Sequence, residues 1–138
     1  MYKRQRVDHQ VERTQIAKLY LMAGQKAKAA NAYEAAIQYL RLGQACLAKN
    51  SWEREYDLTL NLYVETLEAA YLNGNPEQAN KLSEIVLQQA QTLLDRIKVY
   101  QPQIQYYITQ NQMQEAIDIG LEVLNRLDIA LFDSPPQY

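Results

Sequence analysis

The chain has 138 residues, with 14 Lys and Arg against 16 Asp and Glu and a net charge of -2. That is one domain's length with near-balanced charge, which gives no reason to expect nucleic acid or an anionic membrane as a partner. A single cysteine, Cys46, excludes an internal disulfide and fits a reducing compartment, and no apolar run approaches the roughly 20 residues that a membrane helix needs. The expected location is therefore cytoplasmic.

Only four glycines and four prolines punctuate a chain rich in Ala, Leu, Gln and Glu, which favours long helices over strands. Residues 1–6, with Lys3, Arg4 and Arg6, read as a flexible start. A first helix over 7–23 follows from Val7, Val11, Ile16, Leu19, Tyr20 and Ala23, with Gly24-Gln25 closing it. A second helix runs from Lys26 to Lys49 on Ala29, Ala32 or Tyr33, Ala36, Ile37, Leu40 and Leu47. Its alanines allow close approach of a neighbouring helix, and Gly43 marks a kink or a close contact.

Ser51 is placed to cap a third helix, 52–73, whose stripe is Trp52, Tyr56, Leu60, Tyr63, Leu67, Ala70 and Tyr71. Then comes the clearest corner in the chain. Gly74 ends one helix, Asn75 caps the next, Pro76 takes the first helical position, and Gln78 completes a capping box. The fourth helix carries Ala79, Leu82, Ile85, Val86, Leu93 and Leu94. A fifth reaches Gln110, either capped by Asp95 and interrupted at Pro102 or starting near Gln101. Asn111-Gln112 makes the last corner, and a sixth helix runs to Leu127. Residues 128–138 form a tail or linker.

Aligning the corners on Gly24, Gly74 and Asn111 places Ala29, Ala79 and Ala116 five residues after each, and Tyr20, Ala70 and Tyr107 four before. In the first unit Tyr33 and Ala36 follow at nine and twelve. The pattern resembles tetratricopeptide repeats, in which a large residue on one helix of a hairpin packs against a small one on the other. The corner spacings of 50 and 37 residues exceed that family's usual length of about 34. The expected fold is all-α, a tetratricopeptide-like array of six helices in three antiparallel pairs over residues 7–127.

Longer stretches carry a second resemblance. Ala35-Ala36-Ile37-Gln38-Tyr39-Leu40-Arg41-Leu42-Gly43, then Trp52 and Tyr56-Asp57-Leu58-Thr59-Leu60-Asn61-Leu62-Tyr63, are followed by Glu68-Ala69-Ala70-Tyr71-Leu72-Asn73-Gly74-Asn75. Val99-Tyr100-Gln101-Pro102-Gln103-Ile104-Gln105 and Gln110-Asn111-Gln112-Met113-Gln114-Glu115-Ala116-Ile117 complete the set. Together these resemble the helical-repeat region of cyanobacterial multi-sensor signalling kinases. In that family a Ser/Thr kinase-like domain and an AAA- or STAND-type ATPase lie upstream, and GAF and histidine kinase domains downstream. The resemblance implies a non-catalytic segment that contacts neighbouring domains of its own chain or a peptide. The other reading is a stand-alone peptide-binding adaptor or a self-associating helical protein such as a homodimer.

No phosphate-binding loop, HExxH, EF-hand or paired CxxC occurs. His9 is the only histidine, so with Cys46 alone no ordinary zinc site can form, and no catalytic residue, cofactor or metal is expected. Carboxylates recur at helical spacing, among them Glu65 with Glu68 and Glu115 with Asp118, and read as solvated faces. Eleven tyrosines are unusual. Most fall on apolar stripes, but Tyr39, Tyr100 and Tyr106 fit less well, and Tyr39, Trp52 and Tyr106 form a candidate protein-binding surface.

Overall fold

In the computed structural model the backbone is described for residues 2–132 and side chains for residues 9–128. Among the described residues every regular element is a helix. These are α1 (Tyr2–Ala29), α2 (Tyr33–Ala45), α3 (Ser51–Arg54), α4 (Tyr56–Leu72), α5 (Pro76–Gln89), α6 (Leu93–Thr109) and α7 (Met113–Phe132). The all-α expectation holds, with seven helices where six were expected. The chain divides into two compact units, Met1–Gln89 and Ala90–Tyr138.

In the first unit α2 packs against both α1 and α4, and α4 packs in turn against α5. Leu40, Leu60, Leu62, Leu67 and Val86 are fully buried. Helices α1 and α2 run antiparallel. A Cβ on Gly24 would overlap Leu40, one on Gly43 would approach Tyr20 and Ala17, and the Arg13 Nη2 donates to the Ala45 carbonyl at 3.0 Å. The two mid-helix glycines thus sit where helices press together. Glycine costs roughly 1 kcal/mol relative to alanine in a helix, and close packing is what that cost allows. Buried hydroxyls turn back onto their own helices, Thr66 onto the Leu62 carbonyl at 2.5 Å and Ser83 onto the Ala79 carbonyl at 2.7 Å.

The first corner lies elsewhere than the sequence suggested. Helix α1 runs through Gly24 and ends at Ala29. The left-handed residue is Asn31, at φ 63°, matched by Gly74 at 76° and Asn111 at 58°. All three corners carry the same pair of backbone bonds. Asn31 N–H donates to the Lys28 carbonyl and Ala32 N–H to Ala27; Gly74 and Asn75 bond Tyr71 and Ala70; Asn111 and Gln112 bond Ile108 and Tyr107. These are Schellman closures, which satisfy carbonyls otherwise left open at a helix end. Gly24 was misleading because a glycine that makes room for a neighbouring helix looks, in sequence, like one that ends its own.

The repeat register shifts accordingly. Five residues after the true corners stand Ala36, Ala79 and Ala116, all buried. Ala29, expected inside the second helix as a packing residue, instead ends α1 and is exposed. Tyr33 opens α2, and its hydroxyl donates to the Asn31 Oδ1 at 3.0 Å.

Other boundaries differ as well. Ser51 is the first residue of the one-turn α3, not its cap, and Trp52 belongs to that turn rather than to α4. Helix α6 is capped by Thr92, whose hydroxyl accepts from the Asp95 N–H at 3.1 Å, and it continues through Pro102. The expected cap at Gly74–Asn75 is present, with Asn75 Oδ1 accepting from the Gln78 N–H at 3.2 Å ahead of Pro76. Helix α7 extends past Leu127 to Phe132. Residues 133–138 of the expected tail lie outside the described residues.

The corners offer a direct check. A Cβ on Gly74 would meet nothing within 4 Å, so only its positive φ resists substitution. Gly74→Ala is expected to cost about 1–2 kcal/mol in urea unfolding, the price of a left-handed backbone with a side chain.

Candidate protein-binding surface

The candidate surface residues fall in different units. Tyr39 on α2 is 41% exposed, and Trp52 on α3 is half-buried, both in the first unit. Tyr106 lies on α6 in the second. Trp52 is committed to an aromatic cluster, its ring 5.9 Å from Tyr56 and 5.1 Å from Tyr63 at tilted angles. That geometry favours edge-to-face attraction on top of area burial. Trp52 thereby fastens the short α3 to α4. Tyr106 makes an edge contact with Tyr107 at 5.7 Å. Tyr39 is the most open of the three.

The packing residues named from sequence lie as follows. Tyr20 is half-buried beside Gly43, Ala36 and Ala79 are fully buried, and Ala116 is 5% exposed. Tyr107 is half-buried on α6. Tyr71, on the α4 face of the corner, donates its hydroxyl to Asn80 Oδ1 on α5 at 2.6 Å.

Two polar features were missed by the sequence reading. The first is an ion cluster at the end of α1. Lys28 Nζ stands 2.6 Å from Glu65 Oε2 and 2.5 Å from Glu68 Oε2, bridging α1 to α4. Glu65 and Glu68 had read as a solvated pair. No local spacing could reveal their partner, because Lys28 is some forty residues away in the chain. Burial by itself pulls the Lys28 pKa down. The hydrogen bonds to Glu65 and Glu68, with their charges, outweigh it and leave the pKa above the usual lysine value. A raised pKa means that the stabilisation is complete below the ordinary lysine value and is lost as pH rises through the higher folded value. Lys28→Met is therefore expected to lower stability by about 1–2 kcal/mol at neutral pH, short of a fully buried pair because all three groups keep some contact with water. On the alkaline side the difference between wild type and variant should shrink as Lys28 loses its proton, which urea melts across a pH series will show.

The second is a hollow of about 350 Å³ lined by α1 residues Gln10, Val11, Thr14, Gln15 and Lys18 and by Ala48, Arg54 and Glu55. Glu55 joins α3 to α4; its Oε1 accepts from the Thr14 hydroxyl, and its buried Oε2 has no hydrogen-bond partner among the described residues.

The outer face of α7 is apolar and open, with Met113, Ile117, Leu121 and Leu124 each about half exposed. In the second unit α7 packs on α6, where the Arg126 guanidinium lies over the Tyr100 ring at 5.9 Å. Among the described residues no three His, Cys, Asp or Glu side chains group as metal ligands would, and no helix is long and apolar enough to cross a membrane. His9 is exposed on α1.

The arrangement is thus made of packing surfaces and ion pairs. The chain is similar to part of a signalling kinase. It is 26% identical over 134 residues to hybrid signal transduction histidine kinase G of Dictyostelium discoideum. The match covers 91% of this chain and 4% of that protein, so the chain spans a small fraction of its relative's length. No family model matches the chain, and no solved structure does.

Proposed function

We propose that this chain is a non-catalytic helical scaffold, of tetratricopeptide-like build, that links and contacts domains within a multidomain signalling kinase. The observation that carries the reading is the threefold corner. With Asn31, Gly74 and Asn111 in register, the position eleven residues before each is Tyr20, Tyr63 and Tyr100. Seven before stand Gly24, Leu67 and Ile104; five after stand the buried alanines; twelve after stand Gly43, Val86 and Val123. One large ring eleven residues before and one buried alanine five after recur around each turn, an arrangement that lets helices of a hairpin nest. The corner spacings are now 43 and 37 residues, nearer to the tetratricopeptide length of about 34 than the earlier alignment allowed.

The similarity to a stretch of a far longer histidine kinase supports placing such a module inside a signalling protein. Its mechanism is mechanical. Stacked hairpins present an extended surface, and docking of a neighbouring domain against it transmits a change in position rather than a reaction. The test is deletion of this segment from the full-length kinase that contains it. Loss of signal-dependent control with basal kinase activity retained supports the reading, and unchanged control overturns it.

A further inference from the structure

We propose that α1 and α7 carry complementary faces, so that α7 of one copy docks on α1 of another in self-association. The inference stands on the two faces themselves and does not depend on a role in kinase control.

The faces share a template. On α7, Met113, Ile117, Leu121 and Leu124 follow at steps of four, four and three and span an arc of about 80°. On α1, Val11, Gln15, Leu19 and Met22 follow the same steps. The three apolar members on α1 are 53–63% exposed and the four on α7 are 47–59% exposed, although α1 and α7 each bury another face in their own unit. Leaving two such stripes in water is costly, at roughly 25 cal/mol per Å² of apolar surface.

Charge distinguishes the two faces and selects the pairing. Exposed Lys18 and Lys26, with one carboxylate at Glu12, flank the α1 stripe, whereas exposed Asp118 and Asp128 lie beside that on α7, so the first face is net positive and the second negative. Like-with-like pairing would set lysines against lysines or aspartates against aspartates, whereas α1 against α7 sets opposite signs together.

Gly120 supplies an independent sign of a missing helix. The other two helical glycines of the chain, Gly24 and Gly43, each lie against a leucine of a neighbouring helix. Gly120 sits beside the α7 stripe, one turn from Ile117 and Leu124, yet a Cβ there meets nothing within 4 Å. Among the described residues nothing around it calls for a glycine at this helix-interior position. A close-packed second helix does.

Pairing α1 of one copy with α7 of another should raise the mass above that of the 16.0 kDa chain as concentration rises, whether the contacts close into a ring or continue. Light scattering of the 138-residue chain across a hundredfold concentration range reads this, with far-UV circular dichroism checking that each variant folds. Leu19→Glu and Leu121→Glu are each expected to give monomers alone and, mixed in equal amounts, a dimer that grows no further, since one intact end remains on each. Gly120→Leu should weaken association at least tenfold while the melting temperature holds or rises. A wild-type chain that stays monomeric throughout, a single-end variant that still dimerises alone, a mixture that stays monomeric, or an unchanged mass curve for Gly120→Leu would each overturn the proposal.

Discussion

Leu40→Ala is expected to lower the unfolding free energy by about 2–5 kcal/mol, the range for a truncated core leucine whose surroundings cannot collapse. Leu40 is fully buried, and its branched end lies where a Cβ of Gly24 would be. The α1 backbone is therefore already drawn up to the leucine and has little further to move when the side chain is cut back. Urea unfolding measures the loss, with an unchanged m-value as the sign that the denatured state is unaffected. A double-mutant cycle sharpens the test. Gly24→Ala should destabilise the wild type, because its new methyl overlaps Leu40. It should partly restore Leu40→Ala, because the same methyl then occupies vacated space and alanine favours the helix. Additive effects would show that the two residues do not touch.

Gly43→Ala is expected to destabilise by about 1–3 kcal/mol, although alanine is the better helix former by roughly 1 kcal/mol. The new Cβ would lie 2.7 Å from Leu62 Cδ2, 3.2 Å from Tyr20 Cβ and 3.4 Å from the Ala17 carbonyl oxygen. Leu62 is fully buried, Tyr20 Cβ is fixed to the α1 backbone, and the carbonyl is backbone itself. Three elements, α1, α2 and α4, would have to part. A thermal melt of Gly43→Ala that matched or exceeded the wild type would mean that α2 is not wedged between α1 and α4.

Local chemistry was legible wherever it was self-contained. The turn from Gly74 to Gln78 uses a left-handed glycine, a capping asparagine and a first-turn proline, each acting within a few residues, and the structure reproduces all three. The Ala79 and Ala116 positions followed from their distance to true corners. The first corner failed because two explanations of glycine compete. Gly24 is needed for Leu40, a contact across the hairpin, while Asn31 turns the chain, and asparagine is a weaker signal for a left-handed residue than glycine. Misplacing that corner moved Ala29 into a packing role which its exposed position does not support, and inflated the first repeat.

The candidate surface divides in the same way. Tyr39 and Tyr106, off the expected stripes, were reasonable markers of an exposed patch, and Tyr39 is exposed. Trp52 is instead held by Tyr56 and Tyr63, since the break at Glu55 turns α3 so that its ring meets α4. The Lys28 cluster could not be read at all, because the carboxylates of Glu65 and Glu68 and their ammonium come from helices far apart in sequence.

By itself, then, the sequence determined the helical class, the capped corner at Gly74 and the buried alanines five residues after the corners at Gly74 and Asn111, because propensity, capping and backbone sign act over a few neighbouring residues. Only the tertiary structure decided which glycine turns the chain and which one admits a neighbour, which acids find a lysine, and which apolar stripes stay in water. Those outcomes depend on distances between segments that share no local signal, and packing at van der Waals contact is what sets them.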